Sequence, residues 1–157
     1  MPVFQKTCDL AQGYHHRRGV QTTVGYLTSL TIGDVTLVAN GLLVGPALEA
    51  AETLAAEGIQ ARVLDMHTVK PIDREALIAA AEQTGALVVA EEHLAHGGLG
   101  SIVAYTLAEA RPVPIRYVNL GDQFGESGSP EALILKYGLT AEHVARAARE
   151  AVAAKAK

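Results

Sequence analysis

The chain has 157 residues, 49% of them hydrophobic and 19% charged. That is one domain's worth, able to bury roughly 70% of the surface its unfolded form would expose and so to hold a core without metal or disulfide staples. A net charge of −4, with 13 basic residues scattered apart from HHRR at 15–18, excludes the footprint of a nucleic-acid binder; no run approaches the ~20 apolar residues of a membrane span.

Residues 1–24 show no defensible period, and their start, MPVFQKTCDLAQ, lacks the order of a signal peptide. The single cysteine, Cys8, cannot form an intramolecular disulfide and fits a reducing, cytoplasmic setting. HHRR suits a solvated segment or a phosphate contact. Residues 25–157 read as one domain, opening on a strand at Gly25–Leu30 (GYLTSL).

From residue 34 onward aliphatic runs alternate with alanine-rich segments of helical period, the pattern of a parallel sheet with crossover helices. Val35–Ala39 is a strand; the helix of 44–57 follows, with Leu48, Ala51, Leu54 and Ala55 as its apolar stripe and Gly58 as its stop. Strand Ala61–Asp65 leads through MHTVKPID to a helix capped by Asp73 and ended at Thr84-Gly85. Strand Ala86–Ala90, apolar on both faces, runs into AEEHLAHGGLGS; a helix is expected from Ser101 to Glu109 and a strand from Ile115 to Val118. Ser129-Pro130 opens a short helix that Gly138 closes, and Thr140 caps the last, 141–154, with Lys155 and Lys157 near its end.

Ligands of open α/β sheets bind beyond the strands' carboxyl ends, which leaves NGLLVGP, EEHLAHGGLGS and NLGDQFGESGS as candidates. The second is richest: Glu92, His93, Gly97, Gly98, Gly100 and Ser101 form the candidate loop or interface. Its glycines could turn backbone N–H groups toward an anion, but GGLG has neither dinucleotide spacing nor a P-loop lysine. Glu91 or Glu92 with His93 and His96 is a poor metal set on a glycine loop, Glu92 with His93 is a chemically possible acid–base pair, and GESGS is not a nucleophile elbow. The plainest reading is a close-packed turn. Gly98→Val should destabilise the domain if Gly98 has positive φ.

DVTLVANG, RVLDMHTVKPID, VVAEEHLAHGGLGS and DQFGESGSPEALILKYGLTAEHV, in this order, resemble the C-terminal domain of transketolases and their thiamine-diphosphate-dependent relatives, most closely the split, two-subunit prokaryotic type. The resemblance spans roughly residues 25–150. It implies a three-layer α/β/α domain with a five-stranded mixed, mostly parallel sheet whose first strand is antiparallel, giving GYLTSL a place. It also implies that thiamine diphosphate and magnesium sit on two other domains, one pyrophosphate-binding with a GDG motif and one pyrimidine-binding with a catalytic glutamate. The chain has GDV at 33–35 and GDQ at 121–123 but no GDG. No catalytic, cofactor-binding or metal-binding residue is therefore carried over, and the isolated chain is expected to be inactive. Where relatives often place a serine, Leu42 stands, removing a cap.

The expected function is that of a non-catalytic part of a transketolase-like enzyme transferring two-carbon ketol units between sugar phosphates. It would serve assembly and dimerisation with the pyrophosphate- and pyrimidine-binding domains or subunits. A small-molecule or anion-binding module derived from that domain is the alternative, and either a fragment or a free-standing gene product is compatible with the N-terminal segment.

Overall fold

A computed structural model describes Thr22–Thr23 and residues 33–155. Its strands are β1 (Thr22–Thr23), β2 (Val35–Ala39), β3 (Ala61–Asp65), β4 (Leu87–Ala90) and β5 (Ile115–Val118). Its helices are α1 (Val44–Ala56, entered through a 3-10 turn at Gly41–Leu43), α2 (Arg74–Thr84), α3 (Leu99–Ala110), α4 (Pro130–Lys136) and α5 (Ala141–Ala154). The sheet order is β1-β3-β2-β4-β5, and every pairing is parallel.

Four full strands carry the sheet, and β1 adds two residues beside β3, Thr22 opposite Val63 and Thr23 opposite Leu64. Among the described residues the sheet is parallel throughout, because helices cross between successive long strands and each returns parallel to the last. The segment 25–30, expected to be antiparallel, lies outside the described residues, as do Cys8 and HHRR.

Strand alternation divides the core into two layers. Val35, Leu37, Ala39, Val63, Ala86, Val88 and Ala90 face α1 and α5, whose Leu54, Ala51, Val144 and Ala148 meet them with at most 1% exposure. Val38, Leu64, Leu87 and Val89 face α2 and α3 through Leu77, Ala81, Val103 and Leu107. Three layers result. A buried polar tie fastens α2 to the sheet, with the Thr84 hydroxyl 3.0 Å from that of Thr36 and 2.9 Å from the Ala80 carbonyl.

The expected stops and caps take effect at their positions. Asp73 accepts from the Ala76 N–H at 2.9 Å, and Ser129 and Thr140 cap α4 and α5. Gly58 and Gly85 have φ of 84° and 67°. Lys155 does more than complement its own helix's dipole: its ammonium donates to the Thr84 and Asp34 carbonyls at 2.9 and 2.7 Å, closing the end of α2. Lys157 lies outside the described residues.

Candidate functional site

The sheet order puts the carboxyl ends of β2 and β4 side by side, and the crossovers that leave from them, to β3 and to β5, run in opposite directions. This switch point is where a doubly wound fold offers ligands a crevice and a helix N-terminus. The residues following β4 are Glu91 to Gly98, and α3 starts at Leu99.

Glu91 is 2% exposed. Its carboxylate accepts the Leu99 N–H at 2.6 Å through Oε2 and the Gly100 N–H at 2.7 Å through Oε1. These are two of the donors that a helix start leaves without an intrahelical partner, and a negative charge is favoured there. The place an anionic ligand would take at this helix is thus occupied by the chain's own side chain. It also explains why α3 begins at Leu99, two residues before the expected Ser101.

Gly98 and Gly100 make room for that carboxylate. A Cβ on Gly98 would overlap Glu91 Oε2 and lie 2.7 Å from His93 Nδ1; one on Gly100 would lie 3.0 Å from Glu91 Oε1 and from Tyr117. The premise of positive φ at Gly98 is corrected: its φ is −89°, in extended backbone, and close approach is what requires glycine there. Gly97 is the residue with left-handed geometry, at φ 84°. The Ser101 hydroxyl accepts the Gly97 N–H at 2.9 Å and donates to the Ala95 carbonyl at 3.1 Å, so it stitches the turn internally.

Glu92, His93 and His96 are exposed. The His93 ring lies 3.0 Å from the Leu94 carbonyl, and no hydrogen bond joins it to Glu92 among the described residues. The Glu91 position was missed by sequence reasoning because a strand buried on both faces gives no alternation by which to tell an inward glutamate from an outward one. The loop is tied to its neighbour by the Ala95 N–H to the Gly121 carbonyl (2.9 Å) and the Leu120 N–H to the His93 carbonyl (3.0 Å). On this rim Leu42, Leu94 and Phe124 are 57%, 40% and 99% exposed.

The described residues do not fit thiamine diphosphate and its magnesium ion. Asp34 of the first Gly-Asp pair accepts the Gln60 N–H at 2.8 Å, and Asp122 of the second lies in an exposed loop. No group of three or more His, Cys, Asp or Glu among the described residues is placed to hold one metal ion. No described helix is long and apolar enough to cross a membrane. A cavity of about 260 Å³ lies instead under MHTVKPID, lined by Leu64, Met66 and Ile72 with Asp65 and His67. Burial pushes the Asp65 carboxyl up from the ordinary carboxylate range, and the His67 charge opposes it.

The parallel sheet, the two helical layers and the glycine-spaced β4–α3 joint agree with the class that the four motifs resemble, the C-terminal domains of transketolases and their thiamine-diphosphate-dependent relatives. The profile described as "Transketolase, C-terminal domain" matches residues 31–144, and the chain belongs to that family. It is 52% identical over 118 residues to the 6-deoxy-6-sulfo-D-fructose transketolase subunit SqwH of Clostridium sp. (strain MSTE9), covering 75% of this chain and 37% of that one. It is 41% identical over 152 residues to the 1-deoxy-D-xylulose-5-phosphate synthase of Heliobacterium modesticaldum (strain ATCC 51547 / Ice1), covering 90% of this chain and 24% of the synthase. Among solved structures, a split gene transketolase described as an inactive beta4 tetramer superposes with a TM-score of 0.76 at 54% identity, over 80% of this chain and 41% of that one. The chain therefore spans well under half the length of these relatives.

Proposed function

We propose that the chain is the non-catalytic C-terminal part of a split, transketolase-like enzyme and that its task is assembly. Ketol transfer between sugar phosphates then runs on thiamine diphosphate and magnesium held by the pyrophosphate- and pyrimidine-binding domains or subunits it joins. The observation that carries this reading is Glu91: at the switch point of the sheet, where a doubly wound fold presents a helix N-terminus to a ligand, the chain's own carboxylate takes the first two N–H groups of the helix.

The joint is built for packing, and its outer rim, with Leu42, Leu94 and Phe124, is free to meet a neighbouring domain or subunit. Dimerisation and a cytoplasmic location belong to the same reading, and the tetramer named for the split relative agrees with self-association. Nothing in the comparisons favours the free-standing binding module.

Light scattering on the purified chain tests the assembly role. A mass of two copies or more is expected, or a stable complex on mixing with a thiamine-diphosphate-binding subunit of a split transketolase. A chain that stays monomeric and ignores such a subunit would remove the role.

A further inference from the structure

The motif KYGLTAEHV builds something the assembly role does not use. Tyr137 and Gly138 follow α4, Thr140 caps α5, and His143, Arg146 and Glu150 recur along one face of α5 opposite the edge strand β5. Between them lies a cavity of about 250 Å³, bordered by Arg116, Asn119, Tyr137, His143, Arg146 and Glu150.

Its polar groups are mostly donors. Arg116 is held by the Ile115 carbonyl at 3.0 Å and by Glu150, whose carboxylate lies 3.6 Å from its Nε, so its fork is only partly engaged. Arg146 has no carboxylate within 4 Å among the described residues. Asn119 accepts the Gly121 N–H through Oδ1 at 3.0 Å, which leaves its amide hydrogens available.

His143 is oriented by its neighbour. The Thr140 hydroxyl oxygen accepts the His143 backbone N–H and lies 2.8 Å from the ring's Nδ1, so Nε2 is the ring nitrogen left for a ligand. The ring fits because residue 138 is glycine, with φ 67°: a Cβ there would lie 2.8 and 2.9 Å from the ring's Cδ2 and Nε2. With two guanidiniums against one carboxylate, the cavity is net positive in a chain whose net charge is −4.

We propose that this cavity binds a small oxyanion, a phosphate or phosphate monoester, with Arg116 and Arg146 as its forks and His143 Nε2 and the Asn119 amide as further donors. Glu150 holds the Arg116 guanidinium in place and weakens the site. This inference stands apart from the assembly role, because the cavity lies on the β5–α5 edge and involves neither Glu91 nor the rim.

The test is an NMR titration of the 157-residue chain with inorganic phosphate at low ionic strength, following the amides of Asn119, Gly138 and His143. Saturable shifts confined to these residues are expected. Arg146→Gln should weaken binding about tenfold, the loss of one charged hydrogen-bonding group, while Glu150→Gln should strengthen it and Arg149→Gln, one residue away but paired with Glu57, should change it by less than about twofold. Shifts that stay linear in phosphate, or equal weakening by Arg146→Gln and Arg149→Gln, would show general charge screening and overturn the site. Matching melting temperatures for the Arg146 and Arg149 variants would exclude misfolding as the cause.

Discussion

Glu91 and Glu92 are adjacent and chemically identical, yet the fold gives them opposite tasks. Glu91 is buried with both carboxylate oxygens on N–H groups of α3, and Glu92 is in solvent. Glu91→Ala should leave two buried donors unpaired and lower stability by about 2–4 kcal/mol, seen as a lower urea midpoint, while Glu92→Ala should stay within about 0.5 kcal/mol. Equal effects would contradict the capping role. Glycine tells the same story one loop later. Gly98→Ala should cost roughly 1–3 kcal/mol through overlap with Glu91, whereas Gly97→Ala, with open space but left-handed backbone, should cost nearer 1 kcal/mol. If Gly98→Ala is instead recovered by combining it with Glu91→Ala, the steric account is supported directly, since the two changes share one contact.

At the scale of elements, the ends of helices decide boundaries more than their middles do. Thr140→Ala should destabilise α5 by about 1 kcal/mol, measured by denaturant unfolding, because its hydroxyl serves both the His143 N–H and ring. β3 ends on a residue with a pH dependence. Because burial raises the Asp65 pKa in the folded state, the folded chain holds that proton more tightly than the unfolded one. The stability this gives is present below the unfolded pKa and is lost as pH rises through the folded value, so at neutral pH the charged carboxylate is a cost. Asp65→Asn should therefore raise the melting temperature at pH 7, with the gain vanishing near pH 4; a lower melting temperature at pH 7 would count against it.

Most of these elements were legible in the chain itself. Aliphatic runs of four or five residues between alanine-rich helical stretches mark β2 to β5, and Asp73, Ser129 and Thr140 mark starts by an oxygen three residues before the N–H they accept. What was not legible depends on distance in sequence. Glu91 reaches an N–H eight residues on, Lys155 reaches Thr84, and Arg116 faces Arg146 across a cavity, and no local period encodes such meetings. The start of α3 was misplaced for the same reason, since its cap is not the residue before it.

For the whole molecule, the family is carried by four motifs spread over the chain, and their order made it readable where no single loop did. Assembly has a surface signature as well. Replacing Leu94 and Phe124 together by serine should leave stability within about 0.5 kcal/mol, since both are exposed, but reduce association measured by light scattering. Unchanged association would move the contact elsewhere.

The central claim, that this chain supports ketol transfer without performing it, is tested most directly by calorimetric titration of the isolated chain with thiamine diphosphate in the presence of magnesium. The account predicts no saturable heat. Saturable, magnesium-dependent binding by this chain alone would contradict it.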